Sequence, residues 1–165
     1  MGINPVGLLK IQKDNTWDRE EWVVPLATAV QGVTTEQAEW VPPGGGNTIR
    51  ETVNHLNYYN KRILNRLKNN PNAHSVDTNE ATFANGERPA GADGWAATLA
   101  ETERTAYELR QAIAGLTEED LAAPYSGESS DVLLGEELSR WLLHDAYHAG
   151  QIVLIRKQQG SWRTM

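Results

Sequence analysis

Residues 140 to 155 read RWLLHDAYHAGQIVLI, and no other stretch limits the fold as much. At about 100° per residue in a helix, Trp141, His144, His148, Ile152 and Ile155 share one face, with Gln151 at its edge. The opposite side carries Leu143, Ala146, Gly150, Val153 and Leu154, so the helix is apolar nearly all round and must be covered on both sides. A core-type face with two imidazoles needs partners for four ring nitrogens. The chain must therefore pack helices around this one and account for the histidines.

The remaining sequence supplies helices and almost no strand signal. Thr48 and Glu51, three apart after the loop PPGGG, form a capping box that opens a helix over about Thr48 to Lys68, with Ile49, Val53, Leu56, Ile63 and Leu67 on its apolar face. A third helix is expected from Gly94 to about Ala114 with Asp93 as N-cap, and the last from Gly135 to Gln159. Residues 5 to 31 are helical in composition, with Pro25 kinking or interrupting them. The stretches GVTTEQAEW and GLTEEDLAA each place a glycine past a helix end and open a short turn, through Thr34 with Gln37 and Thr117 with Asp120. Four long helices over residues 1–165 imply one all-α domain, an up-and-down four-helix bundle. The aperiodic residues 69 to 92 form a long crossover, either a mobile spacer or a cover over a site.

Composition narrows the chemistry. Without cysteine there are no disulfides and no thiolate ligands, which leaves histidine and carboxylate as the strong ligands for a transition metal. A formal charge of −7 with no basic cluster argues against nucleic acid and against an anionic membrane surface. The start MGINPVGLLK has no secretion pattern, so a cytoplasmic location is expected. PPGGGNT lacks a Lys-Ser/Thr signature and reads as a turn, not a phosphate loop. Trp17, Trp22, Trp40, Trp95 and Trp141 read as core or pocket wall, and DREE and ETER as solvated helix faces.

His144 and His148 stand at i and i+4, close enough for both rings to reach one ion at about 2.0 to 2.1 Å. The alternative is two core histidines satisfied separately. HDAYH resembles the zincin helix motif with Asp145 in place of glutamate, but no His, Asp or Glu follows His148. A third ligand must come from upstream, from His55 or His74. His55, beside Tyr59 on the flank of its apolar stripe, is preferred to His74, which lies in a polar loop.

NHLNYYNKRIL around His55, HDAYHAGQI, and the lead-in GVTTEQAEWVPP together resemble the DinB superfamily of metal-binding four-helix proteins. The likeness runs from about Trp17 to Gln158. It implies a DinB-like bundle, one divalent metal on His55, His144 and His148, and frequent homodimers. It also implies kinship with transferases and isomerases that use a low-molecular-weight thiol such as bacillithiol or mycothiol. The expected activity is transfer of such a thiol to an electrophilic small molecule. A hydrolase using metal-bound water, or a protein whose metal only staples the bundle, are the alternatives. Three imidazoles suit several metals, Zn or Ni first among them. Asp145 and Gln151 are the candidates for further roles, Asp145 as a base or as a partner holding an imidazole, Gln151 as a residue orienting a ligand or a substrate. The apolar back of the last helix, with Ala146 and Gly150 as a flat strip, implies a homodimer to which the first helix contributes.

Overall fold

The computed structural model describes residues 4–70, 76–84, 92–125 and 131–163. These form seven α-helices: α1 (Pro5–Trp17), α2 (Leu26–Val30), α3 (Thr35–Glu39), α4 (Ile49–Leu67), α5 (Ala92–Ala114), α6 (Glu118–Ala122) and α7 (Leu134–Gln158). A 3-10 turn at Glu80–Thr82 and one isolated antiparallel bridge, Pro124 to Leu133, complete the regular structure among the described residues. None of the helices is long and apolar enough to cross a membrane.

Local chemistry sets most of the boundaries. Thr34, Thr48 and Thr117 each accept the backbone N–H of the residue three positions on, while Gln37, Glu51 and Asp120 return the bond to the cap. Gly32 takes a left-handed φ of 70° past α2, whereas Gly115 does not. Gly44, Gly45 and Gly46 follow one another with φ of 87°, 91° and 118°, a turn open only to glycine.

The expected first helix over residues 5 to 31 is two helices. Pro25 does interrupt it, as N-cap of α2, but the break begins earlier, at Asp18. Arg110 of α5 binds both Asp14 and Asp18 there, and the β-branched Val23 and Val24 before the proline favour extended backbone. DREE therefore lies outside any helix, and Trp22 is fully exposed instead of core. Helix α5 starts at Ala92, which puts Asp93 inside its first turn and not before it. In ETER, Glu103 and Arg104 are exposed as expected, but Glu101 and Thr102 are buried, with Glu101 paired to Lys61 of α4.

The four long helices α1, α4, α5 and α7 make the bundle. Asn57 bonds Thr98 and Lys68 pairs with Glu108, contacts that advance together, so α4 and α5 are parallel. His55 meets His144 and Asn60 meets Trp141, in opposite order, so α4 and α7 are antiparallel. The crossover of residues 69 to 92 is what permits two parallel neighbours, since a short loop joins only antiparallel ones.

Two apolar clusters fill the ends. One joins Leu26, Ala29 and Val30 to Ile49, Val53, Leu56, Trp95, Ile152 and Ile155. The other gathers Leu9, Ile63, Leu64, Leu109, Ile113, Leu138 and Leu142. Between them runs a belt of buried polar side chains, Lys13, His55, Asn57, Asn60, Thr98, Asp145 and His148 among them. Buried polar groups are tolerated only when partnered, and the site occupies this belt.

Candidate metal centre

Helices α4 and α7 meet where His55 faces His144 and His148. His55 is 3% exposed and His148 6%, and one ligating nitrogen from each of the three rings lies within 4.8 Å of the other two. The ring centroids of His144 and His148 are 4.5 Å apart, as an i, i+4 pair on one helix face requires. The spacing in the sequence and the antiparallel register of α4 bring all three expected ligands together. His74 lies outside the described residues.

The rings are held from behind. Thr82 donates its hydroxyl proton to the Asn79 carbonyl at 2.5 Å, so its oxygen accepts from the Nδ1–H of His55, also at 2.5 Å. His148 Nδ1 stands 2.6 Å from Gln151 Oε1, an acceptor, which places that ring's proton on Nδ1 as well. Both tautomers leave Nε2 as a lone pair. The Nε2 atoms of His55 and His144 are 3.0 Å apart, a contact that needs a single proton or a cation between them. The three nitrogens are a donor set that could hold a metal ion, with Thr82 and Gln151 fixing two of the rings from behind.

Electrostatics agree. Burial lowers all three imidazole pKa values, and the neighbouring rings add to the effect at His55 and His148; His55 falls from 6.5 to about 4. Near neutral pH the cluster is uncharged, the form in which imidazole binds metal.

Asp145 takes a place different from either expected one. Neither a base at the cluster nor a partner holding an imidazole, it is 1% exposed and turned to Lys13 of α1 at 3.0 Å, with Trp141 flanking the ammonium at 5.0 Å. Gln151 hydrogen-bonds His148. Two site residues escaped the sequence reading. Thr82 carries no signal in its polar segment, and Phe83, stacked on His55 at 3.9 Å, is distinguished only as the chain's single phenylalanine.

A cavity of about 820 Å³ lies in front of the rings. Tyr59, Phe83, Trp141 and Tyr147 wall it near the histidines, and Arg62, Glu137 and Arg140 line it further along α4 and α7. The residues from the crossover place part of that segment over the site.

No curated protein and no solved structure matches the chain. The DinB superfamily does, over residues 25–152, from the start of α2 to within the last two turns of α7, including all three histidines. By that match, together with an all-helical bundle that carries a three-histidine cluster able to hold a metal ion, the chain belongs to the DinB superfamily.

Proposed function

We propose that this protein is an enzyme that joins a low-molecular-weight thiol to an electrophilic small molecule at a divalent ion held by His55, His144 and His148. A divalent ion on three neutral imidazoles keeps its full charge and acts as a Lewis acid toward a thiol or a water molecule. Which of the two it serves depends on the residues around it.

The observation that carries the thiol reading is the disposition of carboxylates. Hydrolysis wants a carboxylate within hydrogen-bonding reach of the attacking water. Among the described residues no carboxylate joins the three-histidine cluster. Asp145 is committed to Lys13, and Glu137 lies seven residues before His144, about 10 Å along the helix at ~1.5 Å per residue. A thiol needs no such base, since a divalent ion held by the three imidazoles would itself supply the acidity to ionise it. The aromatic wall of Tyr59, Phe83 and Tyr147 suits an apolar electrophile and limits water.

The test has two parts. Purified protein is analysed for metal, with Zn or Ni expected near one ion per chain, and each single alanine variant of His55, His144 and His148 should lose most of it. The metal-loaded protein is then given 1-chloro-2,4-dinitrobenzene with and without L-cysteine. The sulfur attacks the ring carbon, the S–C bond forms, chloride leaves and the thiol proton passes to solvent. Chloride release faster than the uncatalysed reaction, dependent on both thiol and metal, is expected. Full metal occupancy in His55→Ala, or ester hydrolysis without thiol as the only activity, refutes the reading.

A further inference from the structure

The cavity has a second chemical pole that the metal centre does not use. Arg62 of α4 and Arg140 of α7 both line it, although the chain as a whole carries a formal charge of −7. The register of the two helices sets their heights. His55 stands beside His144 and His148, and Asn60 donor-acceptor pairing with Trp141 continues the same antiparallel order, so Arg62 comes level with Arg140. Two guanidinium groups are thus brought to one level of one groove. Glu137 lines the same end of the cavity, and an oxyanion reaching this level meets a cationic side chain from each of the two helices.

Arg140 is held only loosely by its own helix. Its contacts with Glu137 and Glu136 are 3.8 and 4.0 Å, beyond hydrogen-bonding length, and its side chain is 58% exposed. A ligand oxyanion presenting two oxygens to a guanidinium fork makes shorter and stronger contacts than these. Arg140 lies four residues from His144 and Arg62 seven from His55, about 6 and 10 Å along the helix axes at ~1.5 Å per residue.

We propose that Arg62 and Arg140 form an oxyanion-binding subsite, so that the cavity takes a ligand carrying a carboxylate or phosphate roughly 6 to 10 Å from the atom that meets the histidines. Specificity then resides at the arginine end and reactivity at the histidine end. This deepens the function proposed above and rests on it only for the nature of the reacting atom.

The test uses calorimetric titration of the metal-loaded full chain with three probes: 6-mercaptohexanoate, whose chain spans that distance, 6-mercapto-1-hexanol, and hexanoate. The carboxylate thiol should bind on the order of tenfold tighter than the alcohol, as a charge-assisted pair gives, and the preference should shrink in high salt. In the double variant Arg62→Gln and Arg140→Gln it should vanish while metal content stays unchanged. Equal affinity for the two thiols, or a preference that survives the double substitution, overturns the subsite and leaves the thiol reading standing. If neither thiol binds but hexanoate does, in an arginine-dependent way, the subsite holds and the thiol reading falls. Binding of none of the three overturns both.

Discussion

Replacing Lys13 with methionine removes one partner of an ion pair that is buried on both sides. The side chains of Lys13 and Asp145 are 2% and 1% exposed, and only one carboxylate oxygen, Oδ2, is bonded to the lysine; Oδ1 is buried with no hydrogen-bond partner. Methionine keeps the length and apolar stem of lysine, so the main loss is the counter-charge. Removing one partner of such a pair costs ~3 to 5 kcal/mol. An upper bound follows independently from the free energy needed to neutralise an ordinary carboxylic acid, ~1.36 kcal/mol per pH unit above ~3.9. That bound is about 4 kcal/mol at pH 7 and about 1.5 at pH 5. Urea unfolding of chelator-treated protein, followed by tryptophan fluorescence, reads the difference. With a slope of ~2 kcal/mol per molar, the midpoint should fall by about 2 M at pH 7 and by well under half of that difference at pH 5. The double variant Lys13→Met with Asp145→Ala, which leaves no buried charge, should return to within about 1 to 2 kcal/mol of the parent. A loss below 1 kcal/mol at pH 7, or one that does not shrink at pH 5, refutes the account.

The layer behind the ligands should tune affinity: Thr82→Val or Gln151→Leu is expected to weaken metal binding by about 10- to 100-fold, read by competition with a chromophoric chelator, and unchanged affinity counts against the tautomer assignment. In the metal-free protein the lowered imidazole pKa values set a sign. Above pH 6.5 folded and unfolded states both hold these histidines neutral; below it the unfolded chain takes protons that the native cluster refuses, until His55 itself titrates near pH 4. Stability should therefore fall as pH drops from 6.5 toward 4, less steeply in His55→Gln, and parallel pH profiles of the two proteins would contradict this. Finally, we propose a homodimer through α7, whose outward side shows Leu143, Tyr147 and Leu154 exposed around Gly150, with Leu8 and Ile11 exposed on α1. Val153 is buried instead and Ala146 half-buried, so the strip is narrower than the helical wheel suggests. A Cβ at Gly150 meets nothing within 4 Å, so Gly150→Glu should leave the fold intact and yield monomer; a parent protein that sediments at 18.3 kDa ends the proposal.

What was legible in the sequence was local. Thr34, Thr48 and Thr117 open their helices because a cap and its partner lie three residues apart and need nothing else. The pairing of His144 with His148 follows from one turn of helix. His55 required a resemblance as well as its place beside Tyr59, since the register of α4 against α7 is not written in either helix alone. Lys13, in LLKIQKDNTW, has the look of a surface lysine, and only the packing of α1 on α7 carries it to Asp145. Thr82 reaches His55 across 27 positions from a segment with no period at all. The break at Asp18 likewise depends on Arg110, far along the chain.

The parallel placement of α4 and α5 leaves the chain with length to spare. Returning along the 19 residues of α4 means covering ~28 Å at ~1.5 Å per residue, which about nine extended residues span at ~3.3 Å each. Roughly two dozen residues separate Leu67 from Ala92. More than half of them are surplus to connectivity, and it is from this surplus that Thr82 and Phe83 reach the histidines. Changes in this segment can therefore alter which molecule fits the cavity without moving the bundle, so long as Thr82 stays behind His55.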